Sequence, residues 1–274
     1  MGHPFDPGPV TEPFATLAQD YPGPETYPPD SFRTEWGPIF HRGRLDGSAR
    51  VLVIGQDPAA SEDIVRRILV GEAGHRLQGF LFKLGLDSSY LMINAFLYSV
   101  YGQQGGERHA GDPGIVTYRH SWLDAIFAAN RLDAVIALGS LADRAWQTWK
   151  ATAAGQGHSP AYAHIIHPTE PESSSGGDPT KLAQAITAML ANWNQALQQL
   201  HPVITHPDTE RPLALYGTAF APQDRVIIPE QDVPAGMPDW MRSPTAWAQR
   251  TGTSTDQKRA TITITIPSGA IAGG

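Results

Sequence analysis

Three side chains able to do chemistry each stand where an apolar run stops. Asp57 closes VLVIGQD (51–57), Asn94 closes YLMIN (90–94), and His167 follows AHII (163–166). Val51 to Ile54 is an unbroken apolar, β-branched run of the kind that forms a strand buried on both faces. Gly55 ends it, and Gln56 and Asp57 then enter a turn closed by Pro58, which cannot continue a ladder. A carboxylate at the carboxyl end of a buried strand lies where open α/β sheets hold ligands. Asn94 brings a planar amide with one donor group and one acceptor, and His167 an imidazole. Each has a plainer use: Asp57 as a helix cap, Asn94 in an Asx-type turn, His167 as a packed loop histidine.

The elements that must position them alternate along the chain. Strands are expected at 51–55, 90–93, 134–138 and 163–166. Helical patterning runs from Glu62 to Leu84, broken by Gly71 and Gly74, with Leu77, Phe80, Leu81 and Leu84 on one face. Helices are also expected at 118–130, at 141–150, and from the Asp178–Pro179 cap pair to about Leu200. The second strand leads into a loop holding Gly102, Gly105, Gly106, Gly111 and Gly114. Four short apolar strands separated by helices imply an α/β fold: three αβα layers around a four-stranded parallel sheet. Its carboxyl-end edge would then carry Asp57, Asn94 and His167 into one crevice.

Residues 1–31 are proline-rich and read as an extended arm pinned by Phe14, Leu17, Tyr21 and Tyr27. Residues 32–200 form the α/β domain, in which 32–50 lead directly into the first core strand. Residues 201–274 read as an extension packing on that core, its one clear element an edge strand over ATITITI (260–266).

Composition narrows the function. The 274 residues contain no cysteine, which excludes disulfides, thiolate zinc sites and iron–sulfur clusters. No cofactor is expected. His158, His164 and His167 lack standard ligand geometry, so no metal is assigned. No apolar run reaches the ~20 residues of a membrane span, and the start, MGHPFDPGPV, has no secretory pattern. The expectation is a cytoplasmic monomer. A net charge of −7 argues against indiscriminate nucleic-acid binding but does not report how charge is distributed.

The motifs together resemble the uracil-DNA glycosylase superfamily over residues 51–200. Gly55 to Pro58 (GQDP) is similar to the first active-site motif of the best-known members, Met92 to Ser99 (MINAFLYS) to their strand ending in Asn, and His167 to Thr169 (HPT) to their DNA-facing loop. Ser61 to Leu86, with VGEAG at 70–74, resembles the iron–sulfur branch, whose cluster this cysteine-free chain cannot hold.

The resemblance implies a monofunctional glycosylase that flips a pyrimidine out of DNA and hydrolyses its N-glycosidic bond. Asp57 would stabilise the sugar cation or orient water, and His167 would donate to O2 of the departing base. Asn94 would read the base edge; one amide orientation suits uracil and the flipped one cytosine. Gln56 would line the pocket through its backbone, and Pro168, Thr169 and Ser173 would face DNA. Phe80, Phe82, Phe96 and Tyr98 are the aromatic candidates for stacking. Two positions depart from the pattern. Ala59 stands where the efficient uracil enzymes carry a Tyr that excludes 5-substituted bases, and Leu69 stands where the iron–sulfur branch stacks a Phe on uracil. Glu170 and Glu172 follow HPT and would repel phosphates. The substrate thus stays open between uracil and a bulky hypermodified phage cytosine, such as glucosylated 5-hydroxymethylcytosine, the latter implying antiviral defence. A non-catalytic DNA- or protein-binding module on the same fold is the further alternative.

Overall fold

The computed structural model describes residues 5–101 and 106–270; Pro4 of the arm and Gly102 and Gly105 of the glycine-containing loop lie outside them. The apolar runs form β2 (Val51–Gly55), β3 (Tyr90–Asn94), β4 (Ala134–Leu138) and β5 (Ala161–Ile165). These four are parallel neighbours in the order β3-β2-β4-β5. Alternate side chains feed two separate cores. Leu52, Ile54, Leu91, Ile93 and Val135 pack on one face with Trp122, Trp146 and Trp149. Val51, Val53, Tyr90, Met92 and Ile136 pack on the other with Leu77, Phe80 and Trp193. Both faces are apolar, which explains the unbroken runs, and each large side chain so buried contributes ~1.5–3 kcal/mol.

The sheet has a fifth strand, so the expected four is corrected. β1 (His41–Gly43) lies on the outer edge of β3 and runs antiparallel to it, with His41 opposite Ile93 and Gly43 opposite Leu91. Three residues, two of them polar, leave no alternation to read. His41 and Arg42 are buried there because partners accompany them: Asp6 Oδ2 lies 3.3 Å from His41 Nε2, and Arg42 Nη2 donates to Gln78 Oε1 at 3.1 Å.

The helices are α1 (Phe14–Gln19), α2 (Ala60–Val65), α3 (Glu72–Lys83), α4 (Pro113–Ala129), α5 (Gly139–Lys150), α6 (Ala153–Gln156), α7 (Glu170–Ser174), α8 (Pro179–Leu200) and α9 (Thr255–Ala260). Helix α4 starts five residues before the expected Tyr118, using Pro113 in its first turn. The Asp178 carboxylate caps α8, accepting from the N–H groups of Thr180 (2.8 Å) and Lys181 (3.2 Å). The 62–84 pattern divides into α2 and α3 around a turn in which Arg66 and Leu69 take positive φ, 62° and 53°. Gly71 precedes α3 as its cap, whereas Gly74 lies inside it. A Cβ on Gly74 would stand 1.7 Å from the Leu69 carbonyl oxygen, so this glycine permits the turn rather than ending the helix.

The arm is not wholly extended: it contains α1, and Phe14 and Tyr27 are buried, while Tyr21 is exposed. Within 260–266 only Thr263–Ile264 pairs as a strand, antiparallel to Ala248–Gln249, because Ala260 still belongs to α9. The tail is fastened to the sheet by carboxylates. Asp208 accepts from the backbone N–H groups of Asp87, Ser88 and Ser89 at 2.7, 2.7 and 2.9 Å. Asp232 is fully buried, accepts from the Tyr90 hydroxyl at 2.7 Å and pairs with Arg42 and Arg44. Among the described residues no helix is long and apolar enough to cross a membrane.

Candidate functional site

Strand register decides which groups meet. Gly55 pairs with Asn94, and Leu138 with Ile165, so four strand ends finish on one edge. Past that edge, Ala95 N–H donates to Gly55 O (3.0 Å) and Phe96 N–H to Gln56 O (2.9 Å), keeping the two exiting chains side by side. The Asp57 carboxylate is fixed by Val100 N–H, which donates to Oδ2 at 3.2 Å. Burial pushes Asp57 up to about 7; Glu62 and Asp63 add to the rise, and Val100 N–H and Arg33 oppose it.

His167 leaves β5 two residues past its end. Its Nδ1 receives the Thr169 backbone N–H at 3.3 Å, with Thr169 Oγ1 at 3.2 Å. A backbone N–H only donates, so Nδ1 is the unprotonated nitrogen and the neutral ring carries its proton on Nε2. Burial, reinforced by the Arg76 guanidinium, lowers the His167 pKa to about 4, keeping the ring neutral at physiological pH. Gly139, with φ 79°, lets this corner close: a Cβ there would stand 2.5 Å from Gln56 Nε2 and 3.3 Å from the His167 Cβ. Gln56 Nε2 in turn donates to Leu138 O at 3.3 Å.

Arg76 of α3 holds the histidine loop. It donates to Pro168 O (2.5 Å), to Glu172 through both terminal nitrogens (3.1 and 2.6 Å), and to Glu72 through Nε (2.9 Å). Glu172, expected to repel phosphates, is therefore neutralised within the protein. Replacing Arg76 by Ala removes a charge acting on His167 and leaves a carbonyl and two carboxylates without this partner. The variant is expected to lose ~1–3 kcal/mol in denaturant unfolding and to show a raised His167 pKa in an NMR titration. A pKa still at the wild-type position would refute the assigned electrostatic link.

Asp57 and His167 line one cleft of about 610 Å³, together with Ala59, Leu69 and Thr169. Gln56 lines an adjoining hollow that shares His167. Asn94 is placed differently. It shares the parity of Tyr90 and Met92, is 8% exposed, and is not among the residues lining the cleft. Its Oδ1 has no hydrogen-bond partner and lies 2.2 Å from where a Cβ on Gly55 would be, with Leu69 Cδ1 3.6 Å from the same point. The structure thus brings Asp57 and His167 together in the cleft and places the Asn94 amide beside Gly55 and the cleft residue Leu69. Pro168 is buried, and exposed Ser173 turns its hydroxyl to Thr169 O (2.9 Å), so Thr169 is the one of the three loop residues that reaches the cleft. Phe80, Phe96 and Tyr98 belong to the cores, and exposed Phe82 lies under the Arg211 guanidinium. None of these four lines the cleft.

The cleft also holds charged residues given no role from the sequence, among them Arg33, Glu62 and Arg250, with Asp63 behind them. The Glu62 carboxylate ties the rim together, accepting from the N–H groups of Ala59 (3.1 Å), Val70 (3.0 Å) and Gly71 (3.2 Å). Its signal was local: an acid three residues past the helix cap. Asp63 is raised to about 6 by burial, accepts from Ser99 Oγ at 3.2 Å and pairs with Arg250. Among the described residues no group of three or more His, Asp or Glu side chains is arranged to hold a metal ion. The cleft therefore offers a fixed carboxylate that titrates near neutrality and a neutral imidazole with one free N–H donor. Such a pair suits a bond whose cleavage leaves positive charge on one fragment and negative charge on the other.

Comparison with curated proteins found no match. Residues 42–204, more than half of the chain, match the family described as the uracil DNA glycosylase superfamily.

Proposed function

The chain belongs to the uracil DNA glycosylase superfamily, and we propose that it hydrolyses the N-glycosidic bond of a flipped pyrimidine nucleotide held in the Asp57–His167 cleft. One observation carries this reading: the Thr169 N–H that fixes the His167 tautomer leaves an Nε2 donor on a ring sharing its cleft with the half-buried Asp57 carboxylate. As the C1′–N1 bond breaks, its electron pair passes to the base, and His167 Nε2–H hydrogen-bonds the anion forming at O2. The Asp57 carboxylate stabilises the cationic sugar and takes a proton from the water whose oxygen bonds to C1′. The base departs as its anion and takes a proton from solvent, Asp57 releases the water's proton to solvent, and the products are a free base and an abasic site. Both interactions strengthen as charge develops, so they lower the barrier rather than tighten substrate binding. The test is single-turnover reaction with a labelled oligonucleotide. We expect free base, and strand scission only after alkali; scission without alkali would indicate a lyase instead.

The base is set by what surrounds it. Ala59 is exposed on the cleft, and a methyl there leaves open the space that a Tyr ring would fill. The cleft volume falls in the ~300–1,000 Å³ range of sites that enclose drug-sized ligands, which favours a 5-substituted pyrimidine. A hypermodified phage cytosine fits that reading and would give the protein a role in antiviral defence. Wild-type protein is expected to excise 5-modified cytosine at least as well as uracil. Ala59→Tyr should lose more than ~10-fold on the modified base while sparing uracil, since steric exclusion of this kind is worth at least 1–2 kcal/mol. Unchanged activity of the variant on every 5-substituted base would end the argument from space.

A further inference from the structure

Two cleft residues on one wall have no part in the chemistry above: Arg33 and Arg250. Both lie outside residues 42–204 and come from opposite ends of the chain. Arg33 is 7% exposed, yet makes no ion pair among the described residues. Its Nη1 donates to Arg259 O at 3.1 Å, and its guanidinium lies 4.2 Å from the centre of the Tyr101 ring. Arg259 covers the same ring at 4.0 Å, so Tyr101 is flanked by two guanidinium groups. Arg250 pairs with Asp63, and its Nη1 is buried without a partner.

Burial and then the neighbouring Arg250 lower the Arg33 pKa, while Glu35 and Asp63 oppose that shift, and Arg33 in turn opposes the rise at Asp57. Burying adjacent like charges is costly unless an anion joins them. Asp63 pairs directly with Arg250, whereas Arg33 has only the longer-range pull of Glu35 and Asp63. The group that remains to be bound is therefore an anion, held within electrostatic reach of the carboxylate assigned to the sugar. In a DNA strand, the anion next to a sugar is its phosphodiester.

We propose that Arg33 and Arg250 form a phosphate subsite that grips the DNA backbone beside the flipped nucleotide and so positions its sugar over Asp57. The subsite rests on the glycosylase reading above. Arg33 supplies a planar fork already stacked on Tyr101, which reduces the ordering needed when phosphate binds. Arg250 exchanges its Asp63 contact for the phosphate, tying the tail to occupancy of the cleft.

The test measures binding of the full chain to a single-stranded oligonucleotide carrying a tetrahydrofuran abasic site, a probe that is independent of the base excised. Affinity is followed across salt concentration. Arg33→Ala should weaken binding ~10-fold or more and reduce the magnitude of the log K against log[salt] slope by about one. Arg33→Lys should restore most of the slope, because it keeps the charge. Arg33→Gln should behave as Arg33→Ala does, and serves if the alanine variant does not fold. Asp63→Asn should bind at least as tightly as wild type, since it frees Arg250; a merely structural Arg250–Asp63 pair would instead make Asp63→Asn and Arg250→Ala equally weak. Unchanged slopes in Arg33→Ala and Arg33→Gln would overturn the subsite while leaving the glycosylase reading intact. Failure of wild-type protein to bind the oligonucleotide at any salt concentration would overturn both.

Discussion

Replacing Asp57 by Asn is expected to lower single-turnover excision by ~10²–10³-fold, the usual loss when one positioned charge-stabilising group is removed. The same substitution is expected to make the protein more stable. Asp57 is held near 7 by burial, against ~3.9 for an unfolded aspartate. Between those values the folded chain keeps a proton that the unfolded chain has lost. Native stability is then full below the unfolded pKa and declines as pH rises through the folded one. Asn carries no such proton, so its advantage over Asp should grow from near pH 4 to near pH 7. The growth should be on the order of 2 kcal/mol, less than the whole shift implies because the carboxylate is partly open to the cleft. Activity of the wild type should rise as the anion forms, with a midpoint near 7. Chemical denaturation and rate measurements at matched pH check both. A variant that loses activity together with stability would mark Asp57 as a structural residue.

How much of this was legible follows from the range of the interactions. The four parallel strands announced themselves through apolar β-branched runs, because both of their faces are buried. Their ends gave Asp57 and His167, because register in a parallel sheet carries strand ends to a common edge. A strand end fixes where a residue lies along the sheet, while the face it uses follows from alternation: Asn94 shares the parity of Tyr90 and Met92, the face on which the cleft residue Leu69 packs. Of the two glycines expected to break the 62–84 pattern, Gly71 does precede α3, but Gly74 lies inside it for close approach, and the turn residues with positive φ, Arg66 and Leu69, are not glycines. Strand β1 is too short to have a period and is held by ion pairs. Arg33 and Arg250 could not be read at all. The Arg250–Asp63 contact joins residues 187 positions apart, and no local pattern encodes such a pairing.

Replacing His167 by Ala is expected to cost excision ~10²–10³-fold, and His167→Gln less, since an amide N–H can still donate toward the leaving oxygen. Because the ring is already neutral down to about 4, its titration should leave no limb in the pH–rate profile near 6.5. The histidine does leave a mark on stability. Its folded pKa lies below the ~6.5 of an unfolded histidine, so its contribution is complete above the unfolded value and is lost as pH falls through the folded one. Asp57 acts in the opposite direction over nearly the same interval. Between roughly pH 4 and 6.5 the two slopes oppose each other, and wild-type stability should be nearly flat there. Each substitution uncovers the other residue. Asp57→Asn should become less stable as pH falls toward 4, and His167→Gln should become less stable as pH rises toward 7. Two variants with flat, parallel stability profiles would show that neither group is held in its unusual protonation state, and the assignment of a neutral donor and a near-neutral carboxylate to one cleft would fall with them.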